Sequence, residues 1–272
     1  MSVWNETNSV AEHCWKHGNP GFPVFDMHGH MGPHYAIYFK RGEAADMVAH
    51  LKKAGVAKLA FTHHYALWEP SYRNANVCEI CKEFPENLRF YVGINPHYPE
   101  IIKEDLAQFD KWRPYVLGIK MLAGYHKVNV TDKSYEYALK FADERGLPVL
   151  NHTWGGRGHY NDGPSMLKLV EKYHNAKFFH GHSIFGDYEY AERVVKESAG
   201  NSYLELTAVP GENGMIEKFC ELVGSEKLIF GTDLPWFDEF QAIGGVVSAK
   251  ISDEAKRNIL HDNVERILGK EW

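Results

Sequence analysis

Apolar and β-branched runs recur along the 272-residue chain, and charge-rich stretches with helical spacing of their apolar positions separate them. The strand candidates are FPVFDMH, VAKLAFTHH, LRFYVGINPH, VLGIKML, LPVLNHT, AKFFHGH, SYLELTA and KLIFGTD; GEAADMVAHLKKAG, DKSYEYALKFADERG and SMLKLVEKYHN are among the helical stretches between them. Most of these runs are continuously apolar rather than alternating. That pattern means burial on both faces, as in a parallel sheet covered by helices. Eight strand and helix pairs predict a closed (β/α)8 barrel. No low-complexity linker or shift in composition interrupts the pattern, so one domain over residues 1–272 is expected.

In such a barrel the carboxyl ends of the strands meet at one mouth. Here those ends carry His28 and His30, His63 and His64, His97, His152, His180 and His182, and Asp233. In FDMHGHMG the extended backbone puts His28 and His30 on one face, with Met27 and Gly29 on the other. Two neutral imidazoles then converge on one point, and Gly29, Gly32 and Pro33 end the strand there. By the same alternation His180 lies deeper in the barrel on the face of His182. Histidines and an aspartate at successive strand tips point to a site rather than to core filling.

The remaining composition narrows the function. At 44% hydrophobic the chain can bury a sizeable core, and a formal net charge of −6 with scattered Lys and Arg gives no surface for nucleic acid. The first twenty residues include Glu6, Glu12, His13 and Lys16 without an apolar run, and no later run has membrane-spanning length. A cytoplasmic protein with no membrane or nucleic-acid partner is expected. Four cysteines make no disulfide framework; Cys78 and Cys81 form a CxxC inside a helical stretch, where the spacing places both thiols on one helical face for packing.

The motifs, in order, resemble the amidohydrolase superfamily and its amidohydrolase 2 branch. DMHGH is similar to the opening HxH strand, GIKML to the fourth strand, LPVLNHT to the fifth and AKFFHGHS to the sixth. LIFGTDLPW resembles the eighth-strand GTDxP, and HDNVERILG the closing helix. The resemblance implies a distorted (β/α)8 barrel in which His28, His30, His152 and Asp233 hold a divalent metal, most often zinc. One ion per chain is favoured, and another divalent metal is allowed. It implies that Asp233 also takes a proton from water. His182 is implied either as acid/base or as a ligand to a second metal, and Lys120 either as a bridge between two metals or as an amine near a substrate acid group. Glu205 stands where the family shows a seventh-strand aspartate. GTD, together with the lack of a fourth-strand glutamate, separates the chain from the DNase-like branch.

The loop HTWGGRGHYNDG places Trp154 and Arg157 after the fifth strand, with Arg157 expected to face a substrate carboxylate. His63, His64, Tyr125 and Trp236 are assigned to the same mouth by strand position. These readings imply a hydrolase whose metal-activated water attacks an amide, ester or lactone carbonyl of a small acidic or ring-containing molecule. A non-oxidative decarboxylase on the same metal site is the alternative, and a non-catalytic ligand-binding barrel is a third reading. A homodimer is left open.

Overall fold

The computed structural model describes residues 9–269; the expected domain of 1–272 reaches beyond them at both ends. Eight strands follow in chain order: β1 (Val24–Met31), β2 (Val56–His63), β3 (Leu88–Ile94), β4 (Val116–Met121), β5 (Pro148–His152), β6 (Lys177–Gly181), β7 (Ser202–Glu205) and β8 (Leu228–Ile229). Each pairs in parallel with the next. The segment after β8 closes the ring onto β1: Met27 N donates to Phe230 O at 3.0 Å and Asp233 N to His28 O at 2.6 Å. The expected (β/α)8 barrel is the observed fold.

Two packed layers follow from the alternation of side chains on buried parallel strands. Phe25, Met27, Ala60, Tyr91, Leu150, Phe179 and Ile229 fill the barrel interior. The opposite strand faces, with Phe61, Phe90, Ile119, Val149 and Phe178, pack against the helices. Cys78 and Cys81 belong to this outer layer, buried on the helix Asn74–Glu83, as the packing reading expected.

Two expectations based on strict alternation, and one strand-end placement, are corrected. The register between β1 and β2 advances three residues on β1 between Asp26 and Gly29 but two on β2, a bulge that leaves Met27 in the barrel interior next to His28. His180 does not lie deeper on the face of His182: it stacks on Phe178 of the outer layer, and its Nε2 lies 2.7 Å from Ser202 Oγ. The shared face is lost because β6 ends at Gly181 and His182 turns to φ +67°. His97 lies beyond the end of β3, and its Nε2 donates to His126 O at 2.8 Å.

The closing helix Asn263–Leu268 is locked to the barrel by one amide. Asn263 Nδ2 donates to Ser225 O and Leu228 O, both at 2.7 Å. An Asn263→Leu chain would keep the volume but strand these buried acceptors. It is expected to lose about 2–3 kcal/mol of stability, read as a lower denaturation midpoint with unchanged slope.

Candidate metal centre

Strand ends meet at the mouth because their backbone leaves extended geometry there. His182, Ser183 and Ile184 after β6, Ala208 after β7 and Asp233 after β8 all take positive φ. Such strain persists only where the surroundings hold it, and it concentrates at functional sites. Gly231 of the GTD segment is required by close approach: a Cβ there would lie 2.7 Å from His28 Cβ and would overlap the Glu205 carboxylate.

His28, His30 and Asp233 present ligand atoms that all lie within 4.8 Å of one another. Asp233 Oδ1 is 3.3 Å from His28 Nε2 and 3.2 Å from His30 Nε2, yet makes no hydrogen bond. The reason lies behind His28. Glu205 Oε2 accepts from His28 Nδ1 at 2.8 Å, which fixes the proton on that nitrogen and leaves the Nε2 lone pair facing the carboxylate. Glu205 is itself held by Thr207 N, Thr207 Oγ1 and His182 N, at 2.8, 2.6 and 3.2 Å. Asp26 accepts from His28 N, Thr232 N and Thr232 Oγ1, tying β1 to the GTD segment. Lone pairs converging on one point, with an unpartnered carboxylate oxygen, suit a divalent cation.

Burial dominates the electrostatics. It pushes His28 and His152 down to about 3, and His30 and His182 well below the usual imidazole range. All four are therefore neutral, the form that ligates metals. Burial lifts the Asp233 carboxyl above its ordinary value and Glu205 to about 7, and lowers Lys120 to about 8.

The other expected residues divide. His182 Nε2 lies 3.0 Å from His152 Nδ1 and 3.9 Å from Asp233 Oδ2, which brings the sixth strand to the centre; His152 reaches it through His182 and is not among the three residues whose ligand atoms lie within 4.8 Å of one another. Lys120 Nζ, fully buried, donates to His28 Nε2 at 2.7 Å, so the amine holds the lone pair that a metal would take and must yield it when an ion binds. Trp154 stacks on Phe185 and sets its ring edge-on to His182, with centroids 5.0 Å apart. Tyr125 brings its hydroxyl to 3.3 Å from His34 Nε2, and Trp236 donates to His64 Nε2 at 3.4 Å.

Two substrate assignments are not brought to the mouth. His63 is turned away: it caps the helix His64–Trp68 by accepting from Tyr65 N and stacks on Tyr72. Its neighbour His64 takes the mouth position, stacked on His30 at 4.7 Å. Arg157 does not face an open site, because its guanidinium is bonded to Asp187 at 2.6 and 2.9 Å and to Glu189 at 2.7 Å.

Sequence reasoning missed the role of Glu205 and, of an aromatic wall that includes the expected Tyr125 and Trp236, the members His34, Tyr35, Phe39 and Trp68. His34 contacts Tyr35, Phe39, Trp68, Tyr125 and Trp236 with centroids 4.6 to 6.4 Å apart. The wall comes from loops after different strands, which no local motif marks. A second group with ligand atoms within 4.8 Å, His50, Asp238 and Glu239, is closed on itself by a His50–Glu239 hydrogen bond and an Arg41–Asp238 ion pair.

The family model described as amidohydrolase matches residues 25–270. No curated protein sequence matches the chain. Among solved structures, an uncharacterized TIM-barrel protein from Bordetella bronchiseptica superposes with a TM-score of 0.74 at 15% identity, covering 92% of this chain and 99% of that one. A 5-carboxyvanillate decarboxylase from Novosphingobium aromaticivorans, complexed with manganese and a nitrobenzoic acid, gives 0.70 at 12%, covering 91% and 96%. A probable 2-pyrone-4,6-dicarboxylic acid hydrolase from Acinetobacter baumannii gives 0.67 at 13%, covering 90% and 99%. At these identities the likeness speaks for the fold.

Proposed function

Because the chain belongs to the amidohydrolase family, a family of enzymes, we propose that it is a one-metal hydrolase, zinc-dependent, opening an amide, ester or lactone bond in a small ring-containing molecule. His28, His30, His152 and Asp233 would hold the ion. A bound divalent metal supplies a Lewis acid and brings the pKa of a water in its shell towards about 7.

One observation carries the reading: the two oxygens of Asp233 face different partners. Oδ1 lies beside the His28 and His30 imidazoles, whereas Oδ2 points towards His182 at 3.9 Å. One carboxylate can thus serve the metal side and also take a proton from the attacking water. His182, neutral and bonded through Nε2 to His152 Nδ1, is placed to pass that proton on as the bond between the two rings rearranges. Glu205 keeps the His28 tautomer fixed, and the positive φ at Asp233 and His182 sets the directions in which the two side chains leave the backbone. In this reading Lys120 stays an amine and forms no carbamate bridge.

Decarboxylation is the second reading, favoured by the aromatic wall of Trp68, Tyr125 and Trp236 together with the occupied Arg157. With that guanidinium engaged, a substrate acid group would turn to the metal, and the structural neighbours include decarboxylases of 5-carboxyvanillate and of 2,6-dihydroxybenzoate. A panel of lactones, cyclic amides and aromatic acids, assayed in parallel for ring opening and for released carbon dioxide, separates the two. Carbon dioxide from an aromatic acid with no hydrolysis anywhere in the panel would replace the hydrolase reading.

The same geometry makes Glu205 a positioning residue. Glu205→Gln can present an amide N–H to His28 Nδ1 and so favour the wrong tautomer. Metal affinity is expected to fall about 10- to 100-fold in competition with a chelator, while the folded state persists.

A further inference from the structure

The N-terminal face of the barrel, opposite the mouth, holds a groove of about 710 Å³ at the starts of β4 and β5 beside the end of the closing helix. Arg89, Arg113 and Arg145 line it with Leu117, Pro148 and Leu268, and among the described residues none that lines it is acidic. This is local, since the chain as a whole carries a net charge of −6.

The three cations are poorly compensated. Arg89 is only 6% exposed; its Nη1 donates to Pro85 O at 2.6 Å and Leu88 O at 2.8 Å, and its Nε has no partner. Burial lowers its pKa, with Glu86 giving only a lesser opposing field. Arg113 and Arg145 approach Asp110 at 3.9 and 3.8 Å and lie over the Phe109 and Phe141 rings at 5.7 and 4.1 Å, but that carboxylate is 72% exposed and a ring face offers no hydrogen-bond acceptor, so the guanidinium N–H groups remain available. A buried guanidinium held by neutral carbonyls alone is costly, and an anion offered to it recovers that cost. The planar fork of each guanidinium matches two oxygens of a phosphate or carboxylate.

We infer that this groove binds a small multivalent oxyanion, a phosphate or a polycarboxylate, clamped by Arg89, Arg113 and Arg145. The site is separate from the chemistry, because catalytic groups of this fold gather at the other end of the strands. Binding there stabilises the barrel floor through mass action on the folded state.

The test is calorimetric titration of the whole protein, at low ionic strength, with inorganic pyrophosphate and separately with citrate. Saturable binding of either, with a raised melting temperature, is expected; pyrophosphate alone marks a phosphoryl ligand and citrate alone a carboxylate one. The double variant Arg113→Gln/Arg145→Gln alters only partly exposed side chains, and it should weaken binding about tenfold or more. Arg89→Met should abolish binding and is read beside the double variant, because its own change is buried. No binding by the unaltered protein, or undiminished binding by the double variant, overturns the inference.

Discussion

Replacing His28 by alanine is expected to strip the divalent metal, from about one ion per chain to a small residue, and to abolish turnover. His28 Nε2 is one of three ligand atoms converging within 4.8 Å, and without it only His30 and Asp233 of that group remain. The loss in affinity should exceed the roughly 100-fold that outer partners such as Glu205 control. Truncation also leaves the buried Glu205 Oε2 and Lys120 Nζ without the ring that bonded them, so stability falls as well, by about 2 kcal/mol or more. Circular dichroism alongside metal analysis separates the effects. A folded His28→Ala protein that keeps its full metal content would remove this histidine from the centre.

The second large effect is a contrast between Asp233→Asn and His182→Asn. Each should reduce turnover by about 10²- to 10⁴-fold, the usual share of a general acid or base. The routes differ. Asparagine at 233 still offers an oxygen towards the His28 and His30 side but cannot accept a proton, so some metal is retained while the base is lost. His182→Asn should keep nearly all of its metal, since a one-metal centre does not use this ring as a ligand. Metal analysis and turnover on a verified substrate are measured together. Loss of metal from His182→Asn would shift that ring from proton transfer to ligation; full activity would leave Asp233 as the sole base.

Both predictions rest on contacts that differ in how far the chain announces them. The barrel was legible because burial on both faces demands continuous apolar strands, and eight of them recur between helical stretches. The residues of the centre were legible for a related reason: a parallel barrel delivers every strand end to one mouth, so HxH, NHT, HGH and GTD had to meet. Where strict alternation was assumed the reading slipped. The bulge in β1 brought Met27 inward, and the positive φ of His182 detached it from the face of His180. Neither is a property of residue type, since both depend on how a strand is paired and where it stops.

The sequence by itself determined the eight parallel strands, the family to which they belong and the strand tips at which imidazoles and a carboxylate stand, because periodicity and chain order are local. Only the tertiary structure decided which of those groups face one another. That His64 keeps the mouth while His63 leaves it follows from a helix that begins one residue after β2 ends. The pairing of Arg157 with Asp187 and Glu189, and the hold of Glu205 on His28 across 177 positions, join segments distant in sequence. Such contacts are selected by packing and by the cost of leaving buried charge unpaired, quantities that exist only once the barrel has closed.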